Sequence, residues 1–468
     1  MTGYREERDT MGALRVPADA LYGAQTQRAA ENFTISKMRL QRSFLRALGL
    51  LKCAAASANV RSGVLPAEIG TAIMSAAELV AEGRYDAEFV VDVFQTGSGT
   101  STNMNANEVI ANVAMRQFAP GVEIHPNDHV NRSQSSNDVI PSAMHMAAAQ
   151  MAMDQLLPSM ERLHAQLSQK AAEFDDVLKI GRTHLQDAVP MRLGQEFGGY
   201  ARQVELGMRR INQALEGIYE LPIGGTAIGT GINASPGFAR AVLSFITTRT
   251  GLPFREAGDH FEAQAARDAA AFLSGALKTF AISLTKIAND IRWLSSGPRC
   301  GLGELRLPEL QPGSSIMPGK VNPVIPESVL MACAQVIGHD ATISWCAASG
   351  NLELNVTIPL IAYDLLESID LLAAASDSFA RKCVAGIEAD RERLASMVER
   401  SLALATSLTP EIGYEAAAEL AKIAHQTGRS IRDVSQEQTQ IPHERLAELL
   451  DVRRMTGASP STTGKRAD

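Results

Sequence analysis

The sequence predicts an all-α protein built on long, largely buried helices. Apolar residues recur at alternating steps of four and three: Phe197, Ala201, Val204, Met208, Ile211, Leu215 and Ile218 form one seam, and Leu273, Leu277, Phe280, Leu284, Ile287, Ile291 and Leu294 form another. That spacing keeps one face of a helix apolar over many turns. Aromatic residues make up only 5% of the chain, whereas strands favour them. The second seam is preceded by Ala265, Ala266, Ala269, Ala270 and Ala271, so its apolar surface is wider than one stripe and needs cover on several sides. Such helices suggest a homo-oligomer with helical interfaces, the alternative being a monomeric bundle that covers its own seams.

Taken in order, residues 1–135 read as an N-terminal region of short helices and loops rich in Gly, Asn and Pro. Residues 136–391 read as a central long-helix bundle, and residues 392–468 as a small helical domain. In the bundle, a helix over Ser142–Lys170 is expected to bend at Pro158, and one over Leu360–Phe379 to kink or break at Pro359, because proline lacks the amide hydrogen. The glycine-rich run Gly224–Gly231 reads as a tight turn between helices with no strand before it. The tail from Thr456 is rich in Ser, Thr and Gly and reads as disordered.

Hydrophobic residues are 45% of the 468, charged residues 21%, and the net charge is −8. This fits a soluble globular protein and excludes nucleic acid as a main partner. No uninterrupted run of about 18 apolar residues points to a membrane span. The five cysteines, Cys53, Cys300, Cys333, Cys346 and Cys383, are scattered and form no C-x-x-C pair. They read as reduced thiols of a cytoplasmic protein, without disulfides or structural zinc.

The chemistry is concentrated in polar segments that surface helices do not need. Gly313-Ser314-Ser315-Ile316-Met317-Pro318-Gly319-Lys320-Val321-Asn322-Pro323 offers hydroxyls, a cation and an amide in one loop, with a helix expected just beyond it. These groups can hold a small carboxylate and take a proton from the adjacent carbon. Gln95 to Asn103, Ser133 to Asp138, and Gly181 to Asp187 add hydroxyls, amides and glycines. Most Gly/Ser/Pro clusters are ordinary turns, and Ser135-Ser136-Asn137-Asp138 is well suited to cap a helix. Shared chemistry across separated segments favours a site. His125, Asp128 and His129 lack a third firm metal ligand, so no metal is assigned there. Neither Thr96–Thr100 nor Gly313–Lys320 matches a phosphate-binding loop.

These motifs resemble those of the class II fumarases in the fumarase/aspartase superfamily. The resemblance runs from Thr10-Met11-Gly12 to about residue 430, and Gly313 to Pro323 is its most specific part. It implies a three-domain fold with a helical tetramer core, no cofactor, no metal, and active sites shared between subunits. It implies that Ser314 is the base that removes the C3 proton of malate. Lys320, Asn322, Thr100, Ser135 and Ser136 would stabilise the dianionic aci-carboxylate so formed. His184, partnered by Glu327, would handle the departing water. Ser98, Asn137 and Thr183 match substrate contacts, and His125, Asn127 and Asp128 match an accessory anion site.

The same scaffold eliminates ammonia from aspartate in the aspartases. Thr96-Gly97-Ser98-Gly99-Thr100 and Ser135-Ser136-Asn137 are fumarase-like, while Pro323-Val324-Ile325-Pro326-Glu327 and Val189-Pro190-Met191 lean to aspartase. Leu352 and Thr357-Ile358-Pro359 depart from the commoner fumarase pattern. Aspartate ammonia-lyase and a hydro-lyase acting on a substituted C4 diacid are the alternatives. A non-catalytic member would be expected to lack the base or the cation, and both are present.

Overall fold

The computed structural model describes residues 3–457. Helices dominate it, as the apolar seams predict. A hairpin of β1 (Tyr4–Asp9) and β2 (Gly12–Pro17) precedes α1 (Ala24–Asn32), α2 (Arg42–Arg61), α3 (Ala67–Ala81), α4 (Thr100–Val113) and α5 (Ser136–Met151). Next come α6 (Leu157–Glu173), the hairpin β3 (Leu178–Thr183) and β4 (Gln186–Arg192), and α7 (Leu193–Ile218), which carries the first seam. Short β5 (Glu220–Leu221) and β6 (Arg255–Glu256) pair in parallel around α8 (Phe238–Thr250). Then follow α9 (His260–Ala265), α10 (Asp268–Leu294) with the second seam, β7 (Leu305–Arg306), α11 (Val324–Ala348) and α12 (Ile358–Lys382). The strand β8 (Glu388–Ala389) returns to β7 and leads into α13 (Arg391–Arg400). Five short helices complete the described chain: α14 (Thr409–Ile412), α15 (Tyr414–Thr427), α16 (Ile431–Gln438), α17 (His443–Leu449) and α18 (Val452–Met455).

The chain divides into two compact units. Unit 1 runs to Pro158 and takes in Gly207–Ile282 and Ala332–Ala374; unit 2 holds Ser159–Leu206, Ser283–Met331 and the chain from Ala375 onward. In unit 1, Phe44, Leu48 and Leu51 of α2, Ile73 of α3, Ile110 of α4 and Ile140 of α5 are fully buried. Burying each such side chain is worth about 1.5–3 kcal/mol. In unit 2, Phe197 stands edge-on between Phe174 and Tyr200, with ring centres 5.3 and 5.6 Å away. The small C-terminal helices enclose their own core of Leu404, Leu408, Leu420, Ile431, Val434 and Leu446.

Three expectations need correction. Pro359 neither kinks nor breaks α12, because it is the second residue of that helix, where the amide hydrogen would have no helical partner anyway. The Ser142–Lys170 helix is irregular not at Pro158 itself but in a wide π turn over Ala152–Leu156, just before it, and runs on in helical conformation. Pro158 can neither donate to nor make room for the carbonyl one turn back. A strand, β5, does precede the Gly224–Gly231 run, although it is only two residues long. Thr456 is buried, and its carbonyl accepts from Gln195 Nε2 at 2.9 Å; the tail from residue 458 lies outside the described residues. By length and composition α10 is apolar enough to cross a membrane, with half of its most apolar stretch buried, as in core helices generally.

Beneath the starts of α4 and α5 lies a buried polar layer. Lys52 of α2 is fully buried and donates to Asn131 Oδ1 at 3.1 Å and Gln134 Oε1 at 3.0 Å. Asn131 Oδ1 also accepts from Asn103 Nδ2 at 3.0 Å and Asn107 Nδ2 at 3.2 Å, both on α4. Asn59 of α2 donates to the Arg132 carbonyl and accepts from Ser133 Oγ. Thus α2 and α4 together grip residues 131–134, the segment that leads into α5. Burial pushes the Lys52 amine down to about 7, opposed by the charge of Asp138.

Two outcomes are expected. A Cβ on Gly49 would sit 2.7 Å from the Ala81 backbone nitrogen, so Gly49→Ala should push α2 from α3 and lower the unfolding free energy in urea by about 1–3 kcal/mol. Secondly, the folded chain releases the Lys52 proton near pH 7, whereas the amine's ordinary value is 10.5. Between these values the unfolded state binds more protons, so stability rises with pH. The urea midpoint should therefore climb more steeply from pH 7 to about 9 in the natural chain than in Lys52→Met; equal slopes would refute this role for Lys52.

Candidate active site

In unit 1 two helix starts meet. The Gly97 carbonyl accepts from Ile358 N at 2.9 Å, and a Cβ on Gly97 would lie 1.7 Å from the Val356 carbonyl oxygen. Only glycine permits this approach. Gly99, at φ +77°, then turns the chain into α4, with Thr100 as its first residue. Opposite it, Ser135 caps α5. Its hydroxyl accepts from Asn137 N at 3.2 Å, and Asp138 accepts from Ser135 N at 3.0 Å, a reciprocal cap.

The hydroxyls form a chain across this junction. Ser98 Oγ lies 2.9 Å from Thr100 Oγ1, which lies 2.8 Å from Ser136 Oγ. Free amides at both helix N-termini add positive potential, so the junction is a natural cradle for a carboxylate. Asn137 sits beside it, its Nδ2 donating to the Ala227 carbonyl at 2.7 Å. Asp138 is spent on structure: its Oδ2 accepts from Gly224 N at 3.0 Å and Thr226 N at 2.9 Å. Burial pushes its carboxyl up to about 6 against those donors.

His125, Asn127 and Asp128 are gathered in a separate exposed turn of unit 1, spanning Pro126–Val130. His125 Nδ1 accepts from Asn127 N at 3.2 Å and Asp128 N at 3.1 Å, which assigns its proton to Nε2. His129 Nδ1 accepts from His125 N at 2.9 Å. Both imidazoles are therefore engaged with backbone. Among the described residues no group of three or more His, Cys, Asp or Glu is placed to hold a metal ion.

Unit 2 carries the remaining residues. Thr183 pairs with Gln186 across the β3–β4 hairpin, leaving His184 and Leu185 as its two tip residues, at φ +57° and +60°. Two positive φ values in a two-residue loop mark the tight hairpin turn that normally uses Asn-Gly. Here His-Leu adopts it under strain, and Thr183 and His184 are exposed. The 313–323 loop is closed by its own bonds. Gly313 N donates to the Lys320 carbonyl at 2.7 Å, and Pro318-Gly319, with Gly319 at φ +77°, form the turn that returns the chain. Ser314 Oγ accepts from Ile316 N at 3.2 Å and Met317 N at 3.0 Å. Lys320 Nζ donates to Asn322 Oδ1 at 2.8 Å, and Asn322 Nδ2 donates to the Gly313 carbonyl at 2.8 Å. The helix expected beyond the loop is α11, with Glu327 in its first turn.

The structure thus brings Ser98, Thr100, Ser135, Ser136 and Asn137 together in unit 1, and Ser314, Lys320 and Asn322 together in unit 2. Among the described residues His184 and Glu327 form no ion pair with each other. Sequence reasoning missed Lys52. Its signal was a lone cation between Leu50-Leu51 and Ala54-Ala55-Ala56, a setting in which a lysine must be buried or the helix exposed.

Comparison with known proteins bears on this geometry. The chain matches a family described as lyase over residues 12–338 and one described as the fumarase C C-terminus over residues 404–457. It is 55% identical over 430 residues to the class II fumarate hydratase of Mycobacterium tuberculosis, covering 92% of this chain and 90% of that protein. To the class II fumarate hydratase of Ralstonia nicotianae it is 52% identical over 435 residues, covering 92% and 94%. The crystal structure of recombinant class II fumarase from Schistosoma mansoni superposes with a TM-score of 0.94 at 40% identity, covering 97% of this chain and 99% of that one. The chain belongs to the lyase family and, within it, to the class II fumarate hydratases.

Proposed function

We propose that the chain is a fumarate hydratase, a hydro-lyase that interconverts fumarate and L-malate by anti addition and elimination of water. The observation that carries this reading is the hydroxyl chain Ser98–Thr100–Ser136 laid across two helix N-termini, a carboxylate cradle with no fixed countercharge. Asn137 and Ser135 border the cradle, and Thr183 supplies a further hydroxyl to the substrate.

In the malate direction Ser314 takes the C3 proton. The two amides that already point at its oxygen favour the alkoxide, and Lys320 adds a positive charge. The electron pair left on C3 moves into the adjoining carboxylate as an aci-carboxylate dianion, held by Lys320, Asn322 and the cradle. That pair then forms the double bond as the C2–O bond breaks. His184, oriented by Glu327, gives a proton to the leaving hydroxide, and water departs. These steps use no cofactor and no metal. His125, Asn127 and Asp128 serve as an accessory anion site outside the reaction.

The working assembly in this reading is a homotetramer whose active sites are shared between subunits. Its support is the apolar surface left on the long helices: Trp345 and Met331 of α11 are 76% and 69% exposed, and Phe272, Ile282 and Trp293 of α10 are exposed as well. The sequence-order division at residues 135 and 391 then sets apart an N-terminal region, the bundle and the C-terminal helices, with the cradle at the first boundary. Among the described residues the cysteines form no disulfide, which suits a reducing cytoplasm.

Ultraviolet absorbance of the fumarate double bond tests the reading directly. It should rise when the protein is given L-malate and stay flat with L-aspartate; a rise with L-aspartate alone would make the chain an ammonia-lyase. Ser314→Ala should lower kcat by at least about 100-fold with the assembly intact, and near-natural turnover would remove Ser314 from the role of base. His125→Ala should leave kcat within about threefold; a loss as deep as that of Ser314→Ala would place His125 in the reaction.

A further inference from the structure

The hairpin that presents His184 cannot hold its shape alone. Two-stranded hairpins are marginal in water, and this one ends in two non-glycine residues at positive φ. Strained turns persist only where the surroundings over-determine them. The surroundings here are ionic. Lys179 Nζ lies 3.1 Å from Glu304 Oε2 and 2.7 Å from Glu196 Oε2, and Arg182 Nη2 lies 2.6 Å from Glu304 Oε1. Glu304 is fully buried and Lys179 nearly so.

Both cations of β3 reach one carboxylate beside an irregularity in the strand pairing. Residues 179 and 182 are an odd number apart, so a regular strand would send them to opposite faces. The pairing of β3 with β4 shifts between Ile180 and Arg182. Two steps along β3, Ile180 to Arg182, span three along β4, Pro190 to Asp187, so the extra residue sits on β4 and the local twist of the hairpin increases. The long side chains of Lys179 and Arg182 both end at Glu304, while Thr183 and His184 are exposed. Glu304 is itself held by backbone: its amide donates to the Leu294 carbonyl at 2.8 Å, and its carbonyl accepts from Asp390 N at 2.9 Å. Both Glu304 carboxylate oxygens lack a well-directed hydrogen bond and are buried. Charge, then, is what ties the hairpin to them.

We infer that Glu304 is the positioning residue of the His184 hairpin, a buried carboxylate that fixes the tip through Lys179 and Arg182. The inference rests on the proposed role of His184 in the departure of water. Its effect should appear in turnover and in tip mobility more than in substrate affinity, because the cradle of unit 1 is untouched.

The test uses the full-length protein in its natural assembly, with Glu304→Gln and Glu304→Asp compared. Arg182→Met, which removes one arm and leaves the Lys179–Glu304 pair, guards against a failure of Glu304→Gln to fold. For Glu304→Gln, kcat on L-malate should fall about 10- to 100-fold while KM moves less than about threefold. Glu304→Asp, which keeps the charge, should recover most of that loss, and Arg182→Met should lose about three- to tenfold in kcat. Independently of activity, amide hydrogen exchange over residues 181–187 should accelerate at least about tenfold in Arg182→Met, with α2 and α5 unchanged. Unchanged tip exchange in Arg182→Met overturns the inference, as does natural kcat in folded Glu304→Gln. If the natural chain has no malate turnover but tip exchange still accelerates, the anchor stands and the functional reading falls.

Discussion

The 2.8 Å contact between the hydroxyls of Thr100 and Ser136 is where the constraints on unit 1 converge. Two helix N-termini pointed at one spot repel each other through their dipoles and leave amides without partners. An apolar filling would close the junction to the proposed anion. The sequence meets the problem with hydroxyls that bridge the gap, a glycine that lets the chain pass Val356, and a reciprocal cap on α5. Further down, α2 and α4 hold residues 131–134 through Lys52 and a set of asparagines. That layer is costly. Asn103 and Asn107 each leave an Oδ1 buried without a hydrogen bond, and an acceptor so stranded costs about 1–3 kcal/mol. A stability-driven core would use leucine there. Asparagine makes sense where the position of the next segment matters more than the free energy of folding.

The chemistry in unit 2 is built the opposite way. His184 sits on an exposed hairpin tip, and Ser314 and Lys320 sit on a loop whose hydrogen bonds run mostly within itself. Exposed groups of this kind gain full effect only once water is excluded around them. The apolar side chains left open on α10 and α11 are consistent with a second copy supplying that cover. An isolated chain would then keep its cradle yet lack an enclosed reaction centre.

Much of this was legible in the residues. The step-of-four, step-of-three seams gave the positions of α7 and α10 because burial of one stripe leaves a period in the sequence. The cap at Ser135 was legible because capping is local, decided within four residues. Pro359 was misjudged by position alone: the same residue that breaks a helix in its middle is harmless in its first turn. Lys52 left only its apolar flanks as a signal, and Glu304 left none. Their partners lie 79 and 122 or more positions away, at Asn131 and at Lys179 and Arg182, and no local pattern marks a charge whose complement arrives only on folding. The irregular register of β3 against β4 likewise depends on strand pairing.

Serine is a poor base, so in the proposed reaction the Ser314 loop has to supply what the side chain lacks. Two backbone amides already donate to Ser314 Oγ. Donors to an oxygen stabilise its anion more than its neutral form, since a charged acceptor roughly doubles the strength of each bond. Lys320 is held in the same loop by Asn322, which in turn is tied to the Gly313 carbonyl beside Ser314. The proposed cation and base thus belong to one hydrogen-bonded loop, which would leave little reorganisation for the proposed proton transfer. The loop's ring of hydrogen bonds also depends on the spacing from Gly313 to Asn322. A Cβ on Gly313 would meet the Lys320 carbonyl at 2.6 Å, so a larger residue there would open the ring and separate the ammonium from the oxygen it is meant to charge.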